Sequence, residues 1–275
     1  MGSMQGRRGL VMGVANDHSI AWGIARRLAA EGAELAISYH PNMETRVRPL
    51  AESIGCQFLL PCDVAEATDS GGNASLDAMF SDLGARWGSI DFLVHAIAFS
   101  DTSELRGRYA DTTRANFVNT MVISCFSFTE AARRAAALMP NGGAMVTLTY
   151  LGATQVIPSY NVMGVAKAAL EASVRYLAAD FGGQNVRVNA ISAGPVNTMA
   201  ARGIGNARAL YSFQKTGAPL KRTVTLDEIG GSALYLLSDL SSAVTGQVHF
   251  VDTGFNIVAV PQAAIEGPGP GSTAQ

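Results

Sequence analysis

With 275 residues, 48% of them hydrophobic and 15% charged, the chain has ample apolar material for a sizeable core. A formal net charge of −2 gives no electrostatic ground for nucleic acid or a membrane surface as the main partner. No run of about 18 apolar residues is present, so no transmembrane helix is expected, and the first residues lack the apolar core of a secretory signal.

Residues 1–6 read as an N-terminal extension, with Met1-Gly2-Ser3-Met4 resembling a cloning remnant. Gly9 to Gly13 reads as a first strand ending in glycine. A helix follows from Ser19 to Ala30, with Ile20, Ala21, Ile24, Ala25, Leu28 and Ala29 at helical spacing and Ser19 as its N-cap. Further strands are expected at Glu34–Tyr39, Gln57–Cys62, Phe92–Ile97, Ala144–Thr149, Arg187–Ile191 and Val248–Val251, with helical patterns between nearly all of them. Strands that are continuously apolar and alternate with helices imply a parallel sheet covered on both faces. The expected fold is therefore α/β: one Rossmann-like, doubly wound domain over residues 7–257, with a seven-stranded parallel sheet and helices on both faces. Asp69 to Asn73 reads as an exposed polar loop. Residues 258–275 read as a flexible tail, Gly/Pro/Ser-rich from Gly267 onward. Cys56, Cys62 and Cys125 match neither a disulfide framework nor a zinc spacing, so they read as buried thiols in a reducing cytosol, and no metal is expected.

The first strand delivers Gly13 and then Ser19-Ile20-Ala21 into a helix. Glycine lets backbone approach a pyrophosphate, and the helix N-terminus presents N–H groups and a positive dipole end. A capped βα turn without a ligand reads the same way, and the common G-x-G-x-x-G is absent. The second strand ends at Tyr39-His40-Pro41, with neither an acidic residue for a ribose nor an arginine for a 2′-phosphate. His40 is the nearest side chain to the expected ribose, which favours NADH over NADPH. Asp63 and Val64, after the third strand, resemble the adenine-contacting turn of a dinucleotide-binding superfamily; read alone, Asp63 is a helix cap.

The strongest signal is Ser159-Tyr160-Asn161-Val162-Met163-Gly164-Val165-Ala166-Lys167. Two helical turns bring Tyr160 and Lys167 to one face. Lys167 is one of only three lysines and sits in an apolar stretch. A cation near a phenol favours the phenolate, so a lowered Tyr160 pKa is expected. By chance the same spacing gives a core-edge tyrosine with a snorkelling lysine.

Together with Thr149-Tyr150-Leu151-Gly152-Ala153 and Val186 to Pro195, this segment resembles the bacterial enoyl-[acyl-carrier-protein] reductases of the short-chain dehydrogenase/reductase superfamily. The resemblance runs from about Gly6 to Asn256. Other members of the superfamily carry a serine upstream of the tyrosine and Asn-Asn-Ala-Gly after strand four. Here position 147 is threonine, Tyr150 stands ten residues before Tyr160, and strand four leads into His95-Ala96-Ile97-Ala98-Phe99.

The resemblance implies hydride transfer from NADH to the β-carbon of a trans-2-enoyl thioester carried on acyl carrier protein. It implies a catalytic set of Tyr160, Lys167 and Tyr150. Cofactor contacts are implied at Gly13, Ser19, Ile20, His40, Asp63, Val64, Ile97, Lys167, Ile191 and Thr198. Substrate contacts are implied at Ala98, Phe99, Tyr150, Tyr160, Met163, Ala200, Ile204 and Ala207, the last three on a substrate-binding loop at about 192–215. Many relatives have glycine where Ala98 stands, so its methyl should narrow the floor beside the nicotinamide. A cytoplasmic homotetramer is also implied, built on the helices around Thr120–Leu138 and Ala166–Phe181, whose alanines would permit close approach. The competing readings are a 3-oxoacyl or carbonyl reductase of the same fold and a non-catalytic nicotinamide-binding regulator; the second would be expected to lack Tyr160 or Lys167. Finally, no acidic residue lies between Asp180 and Asp227, while Arg187, Arg202, Arg208, Lys215, Lys221 and Arg222 do. An acidic carrier is expected to dock there, on Arg202, Arg208 and Lys215 foremost.

Overall fold

The central apolar strands are buried along nearly their whole length: five of the six residues of Glu34–Tyr39 and all four of Phe92–His95 lie in the interior. The computed structural model describes residues 2–65, 74–196 and 207–260. Strands β1 (Arg8–Met12), β2 (Glu34–Tyr39), β3 (Phe58–Pro61), β4 (Phe92–His95), β5 (Gly143–Thr149), β6 (Val186–Ala193) and β7 (Val248–Val251) form one sheet. The order is β3-β2-β1-β4-β5-β6-β7, with every neighbouring pair parallel. This is the doubly wound arrangement expected from the strand–helix alternation. Its order reverses between β1 and β4, where such sheets part to make a ligand crevice.

Alternate strand residues feed two cores. Val11, Ile37, Val94, Val146 and Ile191 meet α1 (Ile20–Ala30), α2 (Glu44–Ser53) and the helix Leu226–Leu237 on one face. Leu10, Met12, Leu93, Met145 and Val188 meet α3 (Leu76–Trp87), the helix Ser127–Ala137 and the helix Asn161–Gly182 on the other. The residues read as an extension pack on the body, with Met4 only 1% exposed. All three cysteines are buried, and none forms a disulfide among the described residues. Among the described residues no helix is long and apolar enough to cross a membrane, and no group of side chains could hold a metal ion.

Strand ends follow their partners. β4 stops at His95, two residues before the expected Ile97, because its neighbour β1 ends at Met12 opposite His95 and turns away at Gly13 with φ of 93°. β6 runs on to Ala193, past the expected Ile191, because β7 pairs with Ala190–Ala193. The segment expected as one helix over Thr120–Leu138 is α4 (Arg114–Met121), a π-turn (Val122–Phe126) and α5 (Ser127–Ala137). After α6 (Asn161–Gly182) come α7 (Ala207–Gly217) and α8 (Leu226–Leu237). Of the alanines expected to admit a second copy, Ala131, Ala132 and Ala166 are fully buried inside the chain, the first two against the sheet, while Ala168 is exposed and Ala169 half-buried. The loop Asp69–Asn73 and the tail from Gly267 lie outside the described residues.

Candidate active site

Both expected ends of the site lie beyond the C-terminal edge of the sheet. At the crevice, a Cβ on Gly13 would stand 2.3 Å from the Ala96 carbonyl oxygen and 3.2 Å from Ile97. Only glycine accommodates both that approach and the positive φ. Ser19 stands at the N-cap of α1, but its hydroxyl does not cap the helix as expected. It donates instead to the Asn16 carbonyl at 2.6 Å, and no acidic residue sits in the first turn. The start of α1 at Ile20 is left free of any side-chain cap or carboxylate. That fits a cofactor pyrophosphate better than a closed structural turn would.

His40 and Asp63, expected separately at the adenosine end, come together. His40 Nε2 lies 3.5 Å from Asp63 Oδ2, and His40 Nδ1 accepts from the Asn42 backbone N–H. Asp63 Oδ1 accepts from the Ala65 N–H at 2.9 Å, while Val64 beside it is buried. Ile191 is fully buried in β6 opposite Leu148, so only its backbone can serve a ligand.

At the reaction end, Tyr160, Met163, Leu105 and Val162 form a small buried cluster with Tyr150 and Ile157 against it. The rings of Tyr150 and Tyr160 meet edge-on with centroids 5.1 Å apart. Tyr160 precedes α6, and its neighbours Ser159 and Asn161 both have positive φ, 60° and 34°. Such backbone is uncommon outside glycine and is stored where surroundings fix it. Here the Asn161 amide donates to the carbonyls of Glu104 and Gly107. Gly152 lets the Tyr160 ring lie flat on the chain: a Cβ there would stand 2.4 Å from Tyr160 Cδ1. Gly152→Ala must push the ring aside, and turnover should fall about ten- to a hundredfold, since misplacement by about 1 Å can cost that much. Steady-state kinetics with an unchanged circular dichroism spectrum would check it; wild-type turnover would show that the ring position is not limiting.

Lys167 is 5% exposed, and its Nζ donates to the Leu148 carbonyl at 2.8 Å, leaving two further donors. Burial lowers its pKa to about 8. The expected lowering of the Tyr160 pKa is not found. Burial, with Tyr150 and Glu171 adding to it, pushes the phenol far above its ordinary value, and Lys167 does not offset this. Tyr160 is thus a neutral hydroxyl donor. Burial also raises Tyr150, to about 12.

Behind this pair lies a polar layer that the sequence did not announce. His95 is fully buried, with its ring nitrogens on the hydroxyls of Thr147 (3.2 Å) and Ser127 (2.9 Å). Burial and then Lys167 hold it neutral, with a pKa of about 3. Thr149 donates to Glu171 at 2.8 Å. Ser124, on the π-turn, both accepts from the Phe99 N–H and donates to its carbonyl, each at 2.9 Å. Ala98 and Phe99 are exposed at the mouth, Phe99 at 52%. Gln214 on α7 donates to the Tyr150 oxygen at 2.8 Å. Thr198, Ala200 and Ile204 lie outside the described residues. Ala207 begins α7, and its side chain lies outside them too.

Of the described basic residues between Asp180 and Asp227, three are engaged within the fold, Lys221 donating to the Thr216 carbonyl at 3.2 Å. Arg187 donates to the carbonyls of Leu236 and Ser238 and to the Ser241 hydroxyl, and Arg222 pairs with Glu228 at 2.6 Å. Lys215 is exposed on α7.

A family model described as Enoyl-(Acyl carrier protein) reductase matches residues 13–256. The chain is 61% identical over 261 residues to enoyl-[acyl-carrier-protein] reductase [NADH] 2 of Rhizobium meliloti (strain 1021), covering 94% of this chain and 95% of that one. Its structure is similar to crystal structures of FabI from Candidatus Liberibacter asiaticus and of the Anaplasma phagocytophilum reductase in complex with NAD. The first gives a TM-score of 0.91 at 55% identity, over 95% of this chain and 100% of that one. The second gives 0.89 at 52%, over 94% and 97%.

Proposed function

The chain belongs to the enoyl-(acyl carrier protein) reductase family, and from that membership we propose that its site reduces the carbon–carbon double bond of a trans-2-enoyl thioester on acyl carrier protein. NADH, when bound, supplies the hydride that adds to the β-carbon. As it does so, negative charge grows on the thioester oxygen. Tyr160 donates its O–H to that oxygen, an interaction stronger in the transition state than in the ground state. Tyr150 shapes the pocket and assists delivery of a solvent proton to the α-carbon, giving the saturated thioester. Lys167 offers its remaining donors to the cofactor ribose. Gly13 and the uncapped start of α1, Ser19-Ile20, take the pyrophosphate. His40, Asp63 and Val64 would take the adenosine, and Ile97 and the Ile191 backbone would contact the nicotinamide, to which the family resemblance also assigns Thr198. Ala98, Phe99 and Met163 would line the acyl path, and the family resemblance assigns Ala200, Ile204 and Ala207 to it as well.

The observation that carries this reading is the buried, neutral Tyr160 phenol packed edge-on against Tyr150. Thr147 speaks against carbonyl reduction: at this upstream position its hydroxyl is fully buried and held on His95, so it is not offered to a substrate. The working form we propose is a cytoplasmic homotetramer. Phe117, Val118, Phe126 and Tyr176, exposed apolar side chains on α4, the π-turn and α6, support it. Lys215, with Arg202 and Arg208, would meet the acidic carrier.

The test follows NADH and NADPH absorbance with enoyl and 3-oxoacyl thioesters, free and carrier-linked. Oxidation of NADH with enoyl substrates, and a carrier-linked rate that falls more steeply with salt than the free one, are expected. Turnover of 3-oxoacyl substrates alone would replace the reading with its carbonyl-reducing alternative.

A further inference from the structure

Gln214 sits on α7, within the segment expected to cover the substrate, and it is 3% exposed. Its amide nitrogen donates to the Tyr150 oxygen at 2.8 Å. Its Oε1 is the one buried side-chain nitrogen or oxygen among the described residues with no hydrogen-bond partner. Leaving such an atom unpaired is costly, so an apolar residue of similar size would serve the fold better. Apolar contacts already seat this part of the chain. Ala218, just after α7, is buried with Leu151 and Phe255, and Phe213 meets Phe255 edge-on at 5.9 Å. The amide is therefore not needed to hold α7 down. Its one engaged atom points at a tyrosine that touches Tyr160.

We infer that Gln214 is a positioning residue that fixes the direction of the Tyr150 hydroxyl. The inference rests on the placing of Tyr150 in the substrate pocket proposed above. A phenol oxygen has one proton to give and two lone pairs. By filling a lone pair from the α7 side, the amide N–H leaves the phenol proton free and turned toward the pocket that Tyr160 borders. The opposite amide orientation would have Oε1 accept that proton and withdraw it from the pocket. The two orientations have opposite chemical consequences, so substitution separates them.

Gln214→Leu removes the donor and keeps the bulk. Gln214→Glu keeps the shape and offers an ionised acceptor that captures the phenol proton. The role predicts that kcat for an enoyl thioester falls about three- to tenfold in Gln214→Leu, the range for losing one neutral hydrogen bond. It falls further in Gln214→Glu, while KM for NADH is unchanged in both. In a double-mutant cycle with Tyr150→Phe, the Gln214→Leu effect should vanish, because its target hydroxyl is gone. Thermal melts with and without NADH separate a folding defect from a positioning one.

Wild-type kcat in Gln214→Glu, or additive effects in the cycle, would overturn the assignment. If Tyr150→Phe itself kept full turnover, both the role of Tyr150 and this inference would fall. If the wild-type protein turned over no enoyl thioester, the proposed reaction would fail before Gln214 entered the question.

Discussion

Tyr160→Phe is expected to lower kcat for an enoyl thioester by about 10²–10³, with KM for NADH little changed. Loss of one preorganised donor to a developing oxyanion typically has that effect. The ring keeps its packing with Tyr150, Leu105 and Met163, so the variant should fold and melt as the wild type does. Two features set the magnitude. Burial holds the phenol neutral, so the proton is present at every working pH. Burial also excludes water that would otherwise replace the lost donor. The pH profile follows with its sign: Tyr160 keeps its proton as pH rises through 10, so it adds no alkaline limb below that value. Single-turnover measurement of NADH oxidation checks the step directly. An unchanged rate would remove Tyr160 from the reaction.

Lys167→Ala should act on the cofactor as well as on turnover, lowering kcat/KM for NADH by about 10² or more. That is the range for losing two hydrogen bonds from a charged donor, at about 1.5–3 kcal/mol each. The wild-type profile should show why the charge matters. With a pKa near 8, Lys167 is protonated below that pH and loses its charge above it. Since kcat/KM reports the free enzyme, it should be level below about pH 8 and fall above it. Several groups face this ammonium. Glu171 on its own helix and Cys125 from the π-turn raise its pKa against burial, and neutral His95 lies behind it on β4. The limb should be absent from the Lys167→Ala profile. A limb that persisted there would belong to another group.

The fold was legible because its central strands are buried on both faces and therefore read as largely apolar runs. Glu34–Tyr39 and Val248–Val251 were placed to the residue, and the other five strands differ by one or two positions at one or both ends. Those shifts belong to the neighbouring strand, as with His95 stopping opposite Met12, and periodicity within one segment carries no such information. Tyr160 and Lys167 were legible because a lysine in an apolar stretch is conspicuous. The direction of the Tyr160 pKa was not, because depth of burial outweighs a nearby cation and depth is a tertiary property. Ser124 and Gln214 left no signal at all. The first depends on a π-turn inside what reads as one helix, and the second is an ordinary polar residue on an amphipathic helix.

The strand order also governs how the molecule is made. β1, β2 and β3 are complete once Pro61 has been synthesised, yet one backbone edge of β1 stays unpaired until Phe92–His95 follows it. At about 5–20 residues per second that delay is on the order of seconds, during which a nascent chain carries an open edge in what becomes the middle of its sheet. The two walls of the crevice, Gly13 on the early side and Ala96–Ile97 on the late side, are thus born apart. The residues proposed for the pyrophosphate and adenosine are all made early, while those proposed for the nicotinamide must wait for the second half, so full binding rewards only a chain that has brought both walls together.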